Sequence, residues 1–279
     1  MADVAVITGG AGGMGLATAK VVGREKSLVL CDVRQDRLDA AAATLADLGI
    51  SATVVNADVT DSAAVERLFD TAAGLGNVTS VIHTAGVSPS MGAADYVMRT
   101  NAVGTVNVDE TFYRTAPQGS AIVNVASMAA HILPEDFMPI AQFPTALADP
   151  DRFMAEMATV CEMAPEDARS GLAYAISKGF VRWYSSSQAE RFNTRGLRIV
   201  SVSPGSVDTE MGRLEEQAGA GALVADAAVP RWGKAEEMAD LLAFCVSDKA
   251  GYLTGTDILN DGGVVASIRE RARIAAANG

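Results

Sequence analysis

The chain has 279 residues, 49% of them hydrophobic, and its 22 Lys and Arg against 34 Asp and Glu give a formal net charge of −12 at pH 7. The acidic balance argues against binding to nucleic acid or to an anionic membrane surface, because both need a basic face, and the hydrophobic content excludes a disordered chain. Three widely separated cysteines, no apolar run of roughly 18–20 residues and no cationic leader segment predict a soluble protein of the reducing cytoplasm.

Seven short runs rich in β-branched residues alternate with longer helical patterns along the chain. They predict strands at Val4–Thr8, Leu28–Asp32, Ala52–Val55, Ser80–His83, Ala121–Val125, Arg198–Val202 and Asp257–Leu259. Several runs are almost continuously apolar, as strands buried on both faces of a parallel sheet must be. Asp61 is placed to cap one of the intervening helices. We therefore predict one α/β domain over residues 1–279, built on a doubly wound, mostly parallel, seven-stranded Rossmann-type sheet.

The first predicted strand runs directly into a glycine-rich turn, which precedes a predicted helix at Leu16–Val22. Glycines let the backbone approach a pyrophosphate, whose charge is stabilised by the free N–H groups of a helix N-terminus. The spacing is compatible with three patterns, GxGxxG, TGxxxGxG and TGxxGxxG, which use different subsets of Gly9, Gly10, Gly12, Gly13 and Gly15. The turn predicts a dinucleotide site without choosing among families.

Asp32 ends the second predicted strand. A carboxylate at this position can accept hydrogen bonds from both adenine-ribose hydroxyls and would repel a 2′-phosphate, which favours NAD over NADP. Arg34 and Arg37 follow closely. Either guanidinium is able to hold a phosphate, so NADP remains the alternative.

Tyr174 and Lys178 are four residues apart in a predicted helix, so their side chains share one face. A free tyrosine has a pKa near 10, which is poorly matched to acid/base chemistry at neutral pH. A neighbouring ammonium and a cationic nicotinamide both favour the phenolate. The pair therefore predicts a tyrosine whose pKa is lowered for proton transfer.

The order of these motifs resembles that of the short-chain dehydrogenase/reductase family, in its compact single-domain branch. The residues that carry the resemblance are the glycine-rich turn, Asp32, Asn101-Ala102-Val103-Gly104, Ser127 at a strand end, the Tyr174/Lys178 pair and Ser203-Pro204-Gly205. The resemblance extends over nearly the whole chain, through the late motifs Leu253-Thr254-Gly255 and Asp261-Gly262-Gly263.

This resemblance implies an NAD-dependent oxidoreductase that interconverts a secondary alcohol and a ketone by direct hydride transfer. Tyr174 would exchange the alcohol proton, and Lys178 would bind the nicotinamide ribose and lower the tyrosine pKa. Ser127 would hydrogen-bond the substrate oxygen, and Asn101 would hold a water that links Lys178 to solvent. No metal is implied. The implied cofactor-binding residues are Gly9, Gly13, Met14, Gly15, Asp32, Asp58, Val59, Ala85, Gly86, Tyr174, Lys178, Pro204, Gly205, Val207 and Thr209, although Asp58 alternatively caps a strand end.

The chain departs from the family pattern at two places. His83-Thr84-Ala85-Gly86 stands where many members have Asn-Asn-Ala-Gly, which puts the local hydrogen bonding of the sheet in doubt. The interval from Ser127 to Tyr174 is far longer than usual and predicts an insertion at about 128–171, laid over the carboxyl edge of the sheet. It resembles insertions in bacterial hydroxysteroid dehydrogenase/carbonyl reductase members, where the segment alters a helix-mediated subunit contact. A surface elaboration without substrate contact is the alternative.

Residues 210–229, rich in Ala and Gly, are predicted to form a lid over the substrate, with the insertion as one wall. The apolar insertion favours a steroid, a terpenoid or another cyclic alcohol. It contains Met138, Met154, Met157 and Met163, which either line an adaptable pocket or simply fill the core. A homo-oligomer, either a dimer or a tetramer, is also expected, and the tail Ser267–Gly279 is either a subunit contact or a frayed helix.

Three other functions are weighed against this prediction. A catalytically idle NAD-binding redox sensor or scaffold has no need of the complete set of Asn101, Ser127, Tyr174 and Lys178. An epimerase or dehydratase is disfavoured because the chain lacks the longer C-terminal substrate domain. A hydrolase that uses Ser127 with His131 is disfavoured because the chain has no GxSxG elbow.

Overall fold

Seven parallel strands form one sheet in the computed structural model, which describes residues 2–217 and 221–278. In chain order they are β1 (Asp3–Thr8), β2 (Ser27–Asp32), β3 (Ala52–Asn56), β4 (Asn77–His83), β5 (Ala121–Val125), β6 (Arg198–Pro204) and β9 (Asp257–Asn260), and a separate parallel pair consists of β7 (Val207–Asp208) and β8 (Gly233–Lys234). The strand order is β3-β2-β1-β4-β5-β6-β9, and every neighbouring pair is parallel. The predicted seven-stranded Rossmann-type sheet is confirmed.

Helices alternate with these strands along the chain. They are α1 (Gly13–Val22), α2 (Gln35–Ala46), α3 (Ser62–Leu75), α4 (Ala94–Met98), α5 (Gly104–Thr115), α6 (Ala129–Ile132), α7 (Thr145–Ala148), α8 (Pro150–Glu162), α9 (Arg169–Ser187), α10 (Ala189–Asn193), α11 (Glu210–Glu215), α12 (Gly221–Asp226), α13 (Ala235–Cys245) and α14 (Val264–Asn278). A π-helical turn, Arg99–Val103, joins α4 to α5, and a 3₁₀ turn occupies Pro89–Met91. Within residues 2–217 and 221–278, no helix combines the length and the hydropathy that crossing a bilayer would require.

The two faces of the sheet carry separate hydrophobic cores because side chains alternate along each strand. On β1, Val4 and Val6 belong to the core that contains buried residues of α3, α5 and α9. Ala5 and Ile7 belong to the core that contains buried residues of α1, α2 and α13. Helices on both faces leave the carboxyl ends of the strands open, and binding sites of such folds lie at that edge.

The predicted insertion, residues 128–171, has two parts that pack differently. α6 lies at the carboxyl edge of the sheet, where the Met128 N–H donates to a carbonyl of β6 at 2.9 Å. α8 packs against α4 and α9, and the Phe143 and Phe153 rings each lie 5.3 Å from the Phe180 ring of α9. Burial of these aromatic rings holds this part of the insertion against α9, and its place over the carboxyl edge stays a prediction.

The methionines of the insertion do not share one environment. Met154 and Met157 are buried in the core of the domain, and Met138 packs partly buried against it. Met163, in contrast, is 84% exposed. Core packing therefore accounts for Met154 and Met157, and Met163 lines no pocket.

His83 and Thr84 supply the hydrogen bonds that the departure from Asn-Asn-Ala-Gly put in doubt. The His83 ring joins β1 to α5, with Nδ1 2.7 Å from Thr8 Oγ1 and Nε2 3.1 Å from Thr105 Oγ1. The Thr84 hydroxyl donates to the Thr8 carbonyl at 2.7 Å. Burial lowers the pKa of His83 to about 3, and the charge of Lys178 acts in the same direction. His83 is thus a neutral structural bridge.

Candidate active site

The glycine-rich turn forms a closely packed cradle between β1 and α1. Gly9 has a φ of +64°, and a Cβ there would lie 2.7 Å from the Ala85 nitrogen. A Cβ on Gly13 would lie 2.6 Å from Thr209 Cγ2. Only glycine fits these positions without displacing a neighbour, so Ala85 and Thr209 border the turn, and their contacts with a cofactor stay predictions.

The N-terminus of α1 is open to an anion. Its capping residue is Gly12, and no side chain caps the helix. The first N–H groups of a helix lack intrahelical partners, and they attract negative charge. Met14 and Gly15 lie in this first turn. These N–H groups, which no side chain caps, suit the pyrophosphate of a nicotinamide dinucleotide.

Asp32 lies at the end of β2 and accepts a hydrogen bond from the Arg34 N–H at 3.2 Å. The two arginines that could bind a 2′-phosphate already have carboxylate partners. The Arg34 guanidinium donates twice to Asp36, at 3.0 and 2.6 Å. The Arg37 guanidinium pairs with Glu210 at the start of α11. Both guanidinium groups are therefore already paired with a carboxylate.

Two further predicted cofactor residues lie after β3. The Asp58 carboxylate is exposed and accepts a hydrogen bond from the Thr60 N–H at 2.8 Å, which is a local turn contact. Val59 is buried against Gly104, where an added Cβ would lie 2.7 Å from Val59 Cγ2. Asp58 therefore makes the local capping contact that was the alternative to binding the cofactor, and Val59 contributes to packing.

Tyr174 and Ser127 come together at the carboxyl edge, Tyr174 from α9 and Ser127 from the segment after β5. Burial raises the pKa of the Tyr174 phenol above its usual value near 10, and the charge of Glu215 adds to this rise, whereas the neighbouring Ser127 hydroxyl opposes it. The chain's own groups therefore raise the tyrosine pKa, whereas the sequence predicted a lowered one. The difference arises because the cost of burying the phenolate outweighs the favourable contacts.

Lys178 is buried one helical turn after Tyr174. Its Nζ donates to the Val125 carbonyl at 2.8 Å and lies 6.0 Å from the centre of the Tyr174 ring. Burial lowers the pKa of Lys178 from 10.5 to about 8. A Cβ on Gly86 would lie 3.2 Å from the Lys178 nitrogen and 3.0 Å from Asn101 Oδ1. Because glycine has no side chain, the Lys178 and Asn101 side chains can both approach the backbone at this position.

Asn101 lies within the π-helical turn and is completely buried. Its Oδ1 accepts from the Val87 N–H at 2.9 Å, and its Nδ2 donates to the Val87 carbonyl and to Ser177 Oγ at 3.0 and 3.1 Å. Ser177 in turn donates to the Tyr174 carbonyl at 2.9 Å. The sequence motifs did not indicate a role for Ser177 in the site, although Ser177 directly precedes Lys178. The water-holding role of Asn101 stays a prediction.

The remaining predicted residues lie after β6. Val207 is buried, and a Cβ on Gly205 would lie 2.7 Å from the Asp261 Cα. Pro204 accepts the hydrogen bond from Met128, and Thr209 caps α11 by accepting from the Gly212 N–H at 3.1 Å. The predicted lid at 210–229 contains α11 and α12, and its residues 218–220 lie outside the described part of the chain.

His131 does not pair with Ser127. Its Nε2 lies 2.7 Å from Asp257 Oδ2 and 3.2 Å from Ser203 Oγ. The Ser127 hydroxyl instead accepts from the Ala129 N–H at 3.2 Å. The serine–histidine pair required by the hydrolase alternative is therefore not formed.

The chain is similar to known proteins over most of its length. The short chain dehydrogenase family model matches residues 3–138, and the Enoyl-(Acyl carrier protein) reductase model matches residues 153–265. Short-chain dehydrogenase/reductase bsc3 of Alternaria brassicicola is 30% identical over 272 residues, covering 95% of this chain and 97% of that protein.

Two further proteins are similar to this chain over nearly their whole length. Cis-4-hydroxycyclohexanecarboxylate dehydrogenase of Sinomonas cyclohexanicum is 28% identical and covers 94% of this chain and 96% of that protein. A short chain dehydrogenase of Burkholderia cenocepacia J2315, solved in complex with NADP, superposes with a TM-score of 0.73 at 24% identity, covering 93% of this chain and 96% of that one. The second likeness concerns the fold alone.

Proposed function

The chain belongs to the short-chain dehydrogenase/reductase family, and on this premise we propose that it is an NAD-dependent oxidoreductase that interconverts a secondary alcohol and a ketone. The observation that carries the proposal is the juxtaposition of Tyr174 and Lys178 on adjacent turns of α9 with Ser127 beside the tyrosine. A proton-transfer group, a cation and a hydroxyl donor at one point suit the exchange of a proton with a substrate oxygen.

In the oxidation direction, the alcohol proton passes to the Tyr174 oxygen while the C–H bond breaks and its electron pair leaves as hydride. Ser127 donates a hydrogen bond to the same substrate oxygen and holds it beside the tyrosine. Lys178 keeps a positive charge below the tyrosine, because its ammonium is anchored on the Val125 carbonyl. The oxidised nicotinamide, when bound, supplies the hydride acceptor and a second positive charge that favours the phenolate. Reduction reverses both transfers.

The preference for NAD rests on charges around β2. Asp32 offers two acceptor oxygens to ribose hydroxyls and repels a 2′-phosphate. Arg34 and Arg37 are each paired with a carboxylate, so binding a 2′-phosphate there would first require breaking an ion pair. Both features support NAD over NADP.

The proposed substrate is a steroid or another apolar cyclic alcohol. Met128, next to Ser127, is buried together with Val264 and Val265 at the start of α14, and Leu223 of α12 packs against the same cluster. This apolar wall supports a neutral hydrocarbon frame near the reacting carbon. The insertion and the lid at 210–229 would close the two sides. We also propose a homo-oligomer in the cytoplasm, where its three buried free cysteines suit a reducing environment.

The test is NADH formation from NAD across a panel of secondary alcohols that includes steroids, with Tyr174→Phe as the matched variant. Turnover that is lost in Tyr174→Phe, while NADH still binds, would support the reaction and the acid/base residue together. Tight NADH binding without turnover of any alcohol would favour the idle redox sensor or scaffold.

A further inference from the structure

Glu215 ends the lid helix α11. We use the term candidate cleft for the region between α11, the 3₁₀ turn Pro89–Met91 and Tyr174, and Glu215 reaches across it. Its Oε1 accepts a hydrogen bond from the Ser90 N–H at 3.1 Å. Ser90 is the middle residue of the 3₁₀ turn Pro89–Met91, which follows the carboxyl end of β4 and the Gly86 position. A carboxylate of the lid is therefore anchored on the opposite side of the cleft.

The same turn borders the face of α9 that carries Tyr174. The Ser170 hydroxyl donates to the Gly92 carbonyl at 3.0 Å, just beyond the turn. Ser170 and Tyr174 are four residues apart on α9 and so share one face. The charge of Glu215 also contributes to raising the pKa of Tyr174. Two independent observations thus bring the Glu215 carboxylate to the side of the cleft where the acid/base lies.

No cation of the described residues, 2–217 and 221–278, lies within ion-pair distance of this carboxylate. The neighbouring cation on α11, Arg213, pairs with Asp208 at 2.7 Å. Two other lid carboxylates with long-range contacts, Glu210 and Asp226, are paired with Arg37 and Arg271. Within the described part of the chain, the Glu215 carboxylate is bound by a backbone N–H and by no cation, so its charge acts on a group that enters the cleft.

We propose that Glu215 is a specificity-determining residue that selects neutral secondary alcohols over alcohols carrying a carboxylate or another anion on the same frame. This inference rests on the proposed function and adds the charge class of its substrate. An anionic group brought beside an unneutralised carboxylate, with apolar walls nearby, meets repulsion that water screens only in part. A neutral ring meets no such cost.

The experiment uses a pair of substrates with one ring and one alcohol but different charge, cis-4-hydroxycyclohexanecarboxylate and its methyl ester. The kcat/KM for NADH formation is measured for the full-length protein and for Glu215→Gln. Glutamine keeps an oxygen that accepts from the Ser90 N–H and removes only the charge. Glu216→Gln, at the exposed neighbouring carboxylate, is the matched control.

We expect the wild type to favour the ester at least roughly tenfold, and Glu215→Gln to raise kcat/KM for the carboxylate by about five- to tenfold. The gain should come through a lower KM for the carboxylate, because the charge acts on binding of the substrate. Loss of the Glu215 charge also removes one cause of the raised Tyr174 pKa, and this effect should be equal for both substrates because both use the same proton transfer. The charge selection is therefore measured as the ratio of the two kcat/KM values. Glu216→Gln should keep the wild-type preference. An unchanged preference in Glu215→Gln, or equal effects of both variants, would overturn the proposal.

A second readout separates this proposal from the proposed function. Calorimetry measures binding of 4-oxocyclohexanecarboxylate and its methyl ester to the protein–NAD complex, in which a ketone has no hydride donor and cannot be reduced. If no alcohol is oxidised but the ester binds tighter and Glu215→Gln removes the difference, the proposed function fails and the charge selection stands. If the two ketones bind alike to the wild type, the charge selection fails whatever the turnover.

Discussion

Lys178 offers a direct test of how strongly burial acts on a charged group in this site. Its pKa is lowered from 10.5 to about 8 because the ammonium is buried. Between these two pH values the unfolded chain holds the proton that the native protein has lost, so the free energy of unfolding rises with pH across that window. Below about pH 8 the buried charge costs its full amount.

The size of this effect follows from the shift in pKa. A lowering of about 2.5 units corresponds to about 3.4 kcal/mol once the window has been crossed completely. Between about pH 7 and about pH 9.5, the gain from Lys178 alone is about 2 kcal/mol. Lys178→Met has a similar shape and no ionisable group. We therefore expect the stability of the wild type relative to Lys178→Met to increase by about 2 kcal/mol over this range.

The assay is urea unfolding followed by tryptophan fluorescence, at both pH values and without added cofactor. Other groups that titrate in this range are present in both proteins and cancel in the difference, apart from groups that interact directly with Lys178. Lys249→Met, at an exposed lysine, is the control and should follow the wild type at both pH values. If the wild type and Lys178→Met change in parallel, the ammonium is not destabilised by burial and the reasoning is refuted.

Three further outcomes are expected. Calorimetry should show NADH binding to the wild type at least about tenfold tighter than NADPH, and Asp32→Ala should reduce this ratio; equal affinities in the wild type would contradict the role of Asp32. Phe153→Ala should lower the free energy of unfolding, measured by urea unfolding, by about 3–5 kcal/mol. Leu147→Ala on the same insertion should lower it by less than about 1 kcal/mol. Equal losses of stability in the two variants would show that the insertion is not part of the core. Light scattering should report a dimer if the insertion blocks one subunit interface, and a tetramer would contradict that idea.

The fold and the main site residues were predictable because their signals are local. Each buried strand is a short apolar run, and each of the seven runs lies within an observed strand. Parallel strands place their carboxyl ends at one edge, which brings the residues after β1, β4 and β5 together. Helical periodicity places Tyr174 and Lys178 on one face, but their identification as a functional pair, like that of Asn101 and Ser127, depends on the resemblance to the family. Their positions therefore follow from sequence spacing and the handedness of the fold.

Other features depend on contacts between residues far apart in the chain, and spacing carries no information about them. Arg37 and Glu210 are separated by 173 positions, and their pairing engages one of the two arginines that the sequence offered to a 2′-phosphate. The direction of the Tyr174 pKa shift depends on burial by several elements. The packing of Phe153 on α9 depends on which helix face remains uncovered after the sheet has formed.

α11 links the two ends of the candidate cleft. Glu210 at its start pairs with Arg37 of α2, close to Asp32, and Glu215 at its end is anchored on Ser90. A helix of six residues is not stable by itself, so its position depends on these tertiary contacts. Weakening the contact at Arg37 therefore also loosens Glu215, five residues away. We therefore expect the proposed cofactor preference near Asp32 and the proposed charge selection near Tyr174 to be coupled through this one short helix.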